Sequence, residues 1–207
     1  VASPDAPSSI SLAGITALIL AGGKSTRMGG GDKALVLLQR RPMIEWVIDR
    51  LRPQVDSVMV NTNSEDAGLV SLGYPTFADQ IMGHRGPLAG LHAGMACAKT
   101  ALLACVPCDA PLLPIDLVAR LHAALTDANA DIAVARTPSS LQPTFFLCRN
   151  TLALRQSIEQ YLADNRYALR YWMSRQHCVE VDFPDEMAFS NINTPQDLQQ
   201  IEAILYS

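Results

Sequence analysis

Residues 15–33 read ITALILAGGKSTRMGGGDK, and the junction inside this stretch decides the fold. Ile15 to Ala21 is continuously apolar, with no polar alternation. Such a strand is covered on both faces, the habit of parallel sheets in α/β proteins. The chain then passes at once into a Gly-rich polar segment. Gly22 and Gly23 let backbone N–H groups approach a ligand with no Cβ in the way, and consecutive N–H groups in such a turn form a concave anion site. Between Gly22 and Lys33 stand three fixed cations, Lys24, Arg27 and Lys33, against the single acid Asp32, in a chain of formal net charge −4. Positive charge gathered behind a buried strand suits a small polyphosphate ligand.

Two familiar phosphate motifs fail on position. Gly23-Lys24-Ser25 imitates the end of a Walker A loop, whose leading glycine would fall at Leu18, inside the strand. Residues 29–34 match the dinucleotide fingerprint G-x-G-x-x-A, yet they follow the strand a whole loop too late.

Outward from this junction, apolar runs alternate with helical patterns. Ile44, Val47, Ile48 and Leu51 recur at i, i+3, i+4 and i+7, which predicts an amphipathic helix from about Pro42, with Pro42 in its first turn. Strands are expected over Asp56–Thr62, Thr76–Ala78 and Ala101–Pro107. Between and after them come a short helix ending near Gly73 and helices over about Leu88–Lys99 and Pro114–Leu125. Asp131–Arg136 and Pro143–Arg149, joined by a polar loop, suggest an antiparallel insertion. Helices over Asn150–Ala163 and Tyr167–Ser174, a strand over Cys178–Phe183 and a terminal helix complete the pattern. Thr194-Pro195-Gln196-Asp197 opens that helix with an N-cap and an acid at the third position. Tyr161, Tyr167, Tyr171 and Trp172 lie on helical patterns and are expected in the core. The fold class is α/β: three layers, a mostly parallel twisted sheet with helices on both faces, and a small antiparallel insertion. Residues 1–14 read as a flexible tail and 15–207 as one domain.

Composition removes several function classes. Of 207 residues, 49% are hydrophobic and 17% charged, enough apolar material for a sizeable core. The acidic balance does not attract nucleic acid over the whole surface. No apolar run approaches the roughly 20 residues of a membrane span, and VASPDAPSSISLAG at the start lacks the basic and apolar regions of a secretory signal. Five cysteines form no disulfide framework and fit a reducing, cytoplasmic compartment. Cys105 and Cys108 spell C-x-x-C, but at the end of a buried strand they read as core rather than a redox centre. The four histidines have no zinc-ligand spacing, and no G-x-S-x-G elbow is present.

Ligands of open α/β sheets sit outside the carboxyl ends of the strands. Asn61, Asp79 and Asp109 stand at three such ends. Asp109, held between Cys108 and Pro111, suits Mg²⁺, which takes one or two protein oxygens and completes its shell with phosphate and water. The competing role for Asp79 or Asp109 is to cap a turn.

The run L-A-G-G-x-x-x-R-M-G-x-x-D-K resembles the signature of nucleotidyltransferases related to the sugar-nucleotide pyrophosphorylases. The further blocks are Val60-Asn61-Thr62-Asn63, Asp79, Gly86-Pro87-Leu88-Ala89-Gly90, Pro107-Cys108-Asp109-Ala110-Pro111, Gln142-Pro143-Thr144 and Asn191-Ile192-Asn193-Thr194-Pro195. Together, and in this order, they are similar to the MobA family, the molybdenum cofactor guanylyltransferases. The resemblance covers about Ile15 to Leu198 and implies a Rossmann-like nucleotidyltransferase fold. It also implies transfer of GMP from GTP to molybdopterin or the molybdenum cofactor, with Mg²⁺ as cofactor and pyrophosphate as by-product. On the same footing, Leu20, Ala21, Gly22 and Gly23 match the nucleotide-binding loop. Lys33, Asn61 and Asp79 match GTP contacts, and Asp109 matches a ligand of both GTP and Mg²⁺. Arg27, Lys33 and Asp109 are the implied catalytic residues, while Gln142, Asn191 and Asn193 fall in blocks facing the pterin. Ala110 and Gln142 depart from the Thr and His that relatives often carry. Cofactor chaperones and apo-molybdoenzymes are the implied protein partners.

In-line attack of a pterin phosphate oxygen on the α-phosphorus needs positioning and charge stabilisation rather than a protein nucleophile. The nearest rivals are a molybdopterin cytidylyltransferase and a sugar-1-phosphate nucleotidyltransferase. Cytidylyl relatives usually read LAAG, whereas Gly22 here leaves more room for a purine. A GTP-binding switch would need the P-loop that is missing, and a structural or adaptor protein would have no use for both Lys33 and Asp109.

Overall fold

A computed structural model describes residues 14–22, 31–81 and 86–205. The described strands are β1 (Ile15–Leu20), β2 (Leu37–Leu38), β3 (Arg41–Pro42), β4 (Ser57–Asn61), β5 (Thr76–Phe77), β6 (Leu102–Pro107), β7 (Ile132–Arg136), β8 (Leu141–Arg149) and β9 (Cys178–Asp182). The helices are α1 (Met43–Leu51), α2 (Ala67–Ser71), α3 (Pro87–Cys97), α4 (Leu117–Asp127), α5 (Leu152–Ala163), α6 (Leu169–Met173) and α7 (Pro195–Leu205). Seven strands form one sheet in the order β5-β4-β1-β6-β8-β7-β9, and β2 and β3 make a separate two-stranded ribbon.

Strand alternation divides the interior into two layers. Ile15, Ala17, Ile19, Ala104 and Val106 face one side, with Ile44, Val47, Ile48 and Leu51 of α1 and Leu117, Val118, Leu121 and Leu125 of α4. Leu18, Leu103 and Cys105 face the other, with Leu88, Leu91 and Met95 of α3, Ile158 and Leu162 of α5 and Trp172 of α6. The three-layer expectation is met. Leu38, Met43, Ile192 and Ile201 form a third, small cluster that fastens the ribbon to α7.

The antiparallel insertion lies within the main sheet. β8 pairs antiparallel with both β6 and β7, while β7 pairs parallel with β9. β8 therefore brings its beginning, not its end, to the carboxyl edge of the neighbouring strands. The register slips between Val134 and Ala135, whose partners are Phe146 and Gln142, so residues 143–145 bulge out of the ladder. Pro143 has no N–H to donate, and bulges near a cleft re-aim side chains.

Tyr161 and Trp172 are buried as expected, but Tyr167 and Tyr171 are exposed. Helix α6 is only five residues long and turns Leu169, Trp172 and Met173 to the core, which leaves Tyr171 on the outer side, while Tyr167 precedes the helix. Burial pushes the Cys105 and Cys108 thiols above their ordinary range, so neither carries the lowered pKa of a redox cysteine. Among the described residues no helix is long and apolar enough to cross a membrane.

Candidate active site

Backbone hydrogen bonds tie the strand ends together at one edge of the sheet. Ala21 N donates to the Asn61 carbonyl at 2.8 Å, and Cys108 N donates to the Leu20 carbonyl at 3.2 Å. These bonds extend the ladders past the strands, so Gly22, Asn61 and Asp109 emerge side by side. Beneath them is a cavity of about 290 Å³ lined by Leu20, Gly22, Asn61, Asn63, Asp79, Gly86, Pro87, Pro107 and Thr144. It runs across five adjacent strand ends, from the turn after β5 to the bulge in β8. At the usual strand spacing of roughly 4.8 Å its two ends lie about 19 Å apart.

Gly86 and α3 close one wall. Gly86 takes a φ of 71°, a left-handed conformation that favours glycine, and Pro87 begins the helix. One turn later, Gly90 abuts Asn61: a Cβ there would lie 2.8 Å from Asn61 Cγ and 2.9 Å from Leu20 Cδ2. The absence of that carbon lets α3 lie close enough to wedge the Asn61 side chain.

At the β5 end, Asn61 Nδ2 donates to Asp79 Oδ1 at 3.0 Å and Asn63 Nδ2 donates to Asp79 Oδ2 at 2.8 Å. Asp79 N returns a 2.9 Å bond to Asn63 Oδ1. Asn61 is buried and Asn63 exposed.

Lys33 opens a 3₁₀ turn, Lys33–Leu35, whose N-cap Asp32 accepts from Ala34 N. Burial pushes the Asp32 carboxyl up, against the lowering effect of that bond. Lys33 Nζ donates to Asp109 Oδ2 and to Asn193 Oδ1. The Lys33 and Asp109 side chains are only 12% and 10% exposed. Asp109 Oδ1 is buried and has no hydrogen-bond partner among the described residues. A buried, unused carboxylate oxygen is costly unless something occupies it. It fits a ligand position for a hard cation such as Mg²⁺.

Asn193 reaches Lys33 because the segment before α7 is pinned from both sides. Ile192 is fully buried, and its N–H donates to the Asp109 carbonyl at 2.9 Å. Asp197 Oδ2 accepts from Asn193 N and Thr194 N at 2.9 and 2.8 Å, while Asp197 N donates to Thr194 Oγ1. This is the expected cap. Those bonds, the Asn193 N–H first, hold the Asp197 carboxyl below its ordinary range.

The structure thus brings together Leu20, Ala21, Gly22, Lys33, Asn61, Asp79, Asp109 and Asn193. The Asn191 carbonyl receives the Asn193 side-chain amide at 3.5 Å. Gln142 spends its amide on Thr137 Oγ1 and Ser140 Oγ in the β7–β8 turn. Thr144, two residues on, lines the cavity instead. Gly23, Lys24 and Arg27 lie outside the described residues, as does the tail over 1–13. Sequence reasoning gave no role to Asn63, Gly90 or Thr144. The signal for Asn63 was present in the alternation of Asn61-Thr62-Asn63, which puts both amides on one side of extended chain.

The family described as MobA-like NTP transferase domain matches residues 17–180. The molybdenum cofactor guanylyltransferase of Shewanella woodyi is 43% identical over 192 residues, covering 92% of this chain and 97% of the relative. That of Burkholderia ambifaria is 46% identical, covering 89% and 93%. In fold, the chain resembles a molybdopterin-guanine dinucleotide biosynthesis protein A from Archaeoglobus fulgidus, with TM-score 0.75, 22% identity and coverage of 92% and 98%. It also resembles 2-C-methyl-D-erythritol 4-phosphate cytidylyltransferase from Thermus thermophilus, with TM-score 0.71, 17% identity and coverage of 93% and 98%. The chain belongs to the MobA-like NTP transferase family and is a nucleotidyltransferase.

Proposed function

We propose that the protein transfers GMP from GTP to molybdopterin or its molybdenum-loaded form, giving the guanine dinucleotide cofactor and pyrophosphate. The observation that carries this reading is the Lys33–Asp109 pair at the same edge of the sheet, two residues beyond the cavity-lining Pro107, with one buried Asp109 oxygen unpartnered among the described residues. A pterin phosphate oxygen attacks the α-phosphorus, the new P–O bond forms, and the α–β bridging P–O bond breaks to release pyrophosphate.

The chain's residues supply positioning and charge. Lys33 offers a cation to the phosphates, held in place by Asn193. Gly22 carries no Cβ, and nothing among the described residues lies within 4 Å of where one would sit. The strand edge at Gly22 is thus open on the side where a nucleotide would approach. Asn61 and Asp79 bind the nucleoside end, and Asp109 holds Mg²⁺, which neutralises phosphate charge when bound. Arg27 adds a second cation from the loop. Gln142, Asn191 and Asn193, together with Thr144, belong to the acceptor side. The reaction is assigned to the cytoplasm, with handover of product to cofactor chaperones and apo-molybdoenzymes.

The test is incubation of the protein with MgCl₂, molybdopterin and either GTP or CTP, following pyrophosphate release. Faster release with GTP is expected, and faster release with CTP overturns the nucleotide assignment.

A further inference from the structure

The Asn63–Asp79 contact is more than a chance surface pair. Its two hydrogen bonds run in opposite directions, amide N–H to carboxylate and backbone N–H to amide oxygen, at 2.8 and 2.9 Å. A reciprocal pair of this kind fixes both the position of the Asp79 backbone and the rotation of its carboxylate. Asn61 holds the other oxygen at 3.0 Å, and Asn61 is itself wedged by Gly90. Each Asp79 oxygen therefore gives one acceptor site to the protein and keeps another. All three side chains line the cavity, beside the apolar walls Leu20 and Pro87.

A carboxylate offers acceptors only. Guanine presents two neighbouring donors on one edge, N1–H and the N2 amino group, and can pair with both oxygens at once. Adenine and cytosine present a donor next to an acceptor on the corresponding edge, so one of their atoms would face a carboxylate lone pair. Hypoxanthine keeps N1–H and lacks the amino group.

We infer that Asn63 is a positioning residue for nucleobase selectivity: it orients the Asp79 carboxylate so that the base end of the cavity accepts the paired donors of guanine. This rests on the GTP-dependent reading above. Asn63 acts through Asp79 and has no part in holding the triphosphate, which lies at Lys33 and Asp109.

Calorimetric titration of the whole protein with GTP, ITP, CTP and tripolyphosphate, each with MgCl₂, tests the inference. The wild type is expected to bind GTP about tenfold or more tightly than ITP, the range of one hydrogen bond to a charged group. In Asn63→Ala that ratio should fall to within about twofold, with tripolyphosphate affinity and melting temperature unchanged. Asn63→Asp, which keeps the acceptor for Asp79 N–H but turns the donor into a like charge, should also lose the ratio.

A variant that keeps the wild-type GTP-to-ITP ratio overturns the inference. So does equal loss of GTP and ITP affinity, which marks a merely structural role, and so does weakened tripolyphosphate binding. A wild type that favours GTP over CTP but not over ITP removes Asp79 from the N2 edge and sinks the inference while leaving the guanylyl reading intact. Preference of the wild type for CTP sinks the reading itself.

Discussion

Gly90 faces Asn61 so closely that any β-carbon at position 90 would overlap the Asn61 amide oxygen. Nothing flexible stands between them, because Asn61 is buried at the end of β4 and bonded to both Asp79 and the Phe77 carbonyl. Helix α3 and the β5 end of the cavity are therefore set by one missing methyl group.

Gly90→Ala should accordingly lower GTP affinity about tenfold or more, by displacing Asn61 from Asp79. Gly94 is the control on the same helix: a Cβ there would lie 2.6 Å from Leu18 Cδ2, in the core and away from the ligand. Gly94→Ala should cost about 1–3 kcal/mol of stability through overpacking and leave GTP affinity near wild type. Titration calorimetry alongside denaturant melts separates the two.

Lys33→Ala and Asp109→Ala should each lower turnover about 10²- to 10³-fold, as expected for loss of one group that stabilises transition-state charge. Lys33→Ala leaves a carboxylate that is largely buried without its cation, so it should also lose about 1–3 kcal/mol of stability. Chelation of divalent ions should stop the wild-type enzyme, and added MgCl₂ should restore it but not Asp109→Ala. Single-turnover pyrophosphate release measures the kinetic effects and urea melts the stability.

Asp197→Asn tests the cap that carries Asn193 to Lys33. The folded-state pKa of Asp197 lies below the ordinary 3.8, so its stabilisation is complete above that value and is lost as pH falls through the lower, folded one. At neutral pH the variant should be less stable by about 1 kcal/mol, the usual worth of a cap. The difference in melting temperature between wild type and variant should close as the pH is taken below 3.8. A gap that persists undiminished in acid would assign the cap to something other than the ionised carboxylate.

Thiol labelling should follow burial. Cys97 is exposed, whereas Cys105, Cys108 and Cys148 are buried. Cys178 is partly buried, and burial, aided by the nearby Glu180 charge, pushes its thiol up to about 11. A maleimide at neutral pH should modify Cys97 first and Cys178 slowly, with the other three reacting only after denaturation. Peptide mass spectrometry reads the order, and early labelling of Cys108 would contradict its place in the core.

Much of this architecture is legible in the chain because its cues are local. The apolar run of β1, the heptad-like spacing of α1 and the Thr194 cap each depend on neighbouring residues, and each forms where the pattern places it. The ribbon of β2 and β3 was not legible. Its turn residues Gln39 and Arg40 take φ values of 49° and 65° without the Gly or Asn that advertises such a turn. Leu38 and Met43 hold it by packing under Ile192 and Ile201, from the far end of the sequence. The position of β8 between β6 and β7 was hidden for the same reason, since a hairpin pattern does not say which third strand it joins. In the site, Asp109 stood out by its place at a strand end. The contact of Asn193 with Lys33, 160 positions away, comes from tertiary anchoring of Ile192 on the Asp109 carbonyl together with the Asp197 cap.

The reversed direction of β8 has a consequence for how new acceptors arise on this scaffold. Parallel strands deliver their loops to the cleft through long helical crossovers that also build the core, so changing one disturbs the other. Thr144 and its neighbours arrive instead by a short hairpin, which can be lengthened, shortened or exchanged as a cassette. Grafting residues 137–144 from a relative with a different acceptor should therefore re-address the incoming phosphate while the grip on the departing pyrophosphate stays as it is.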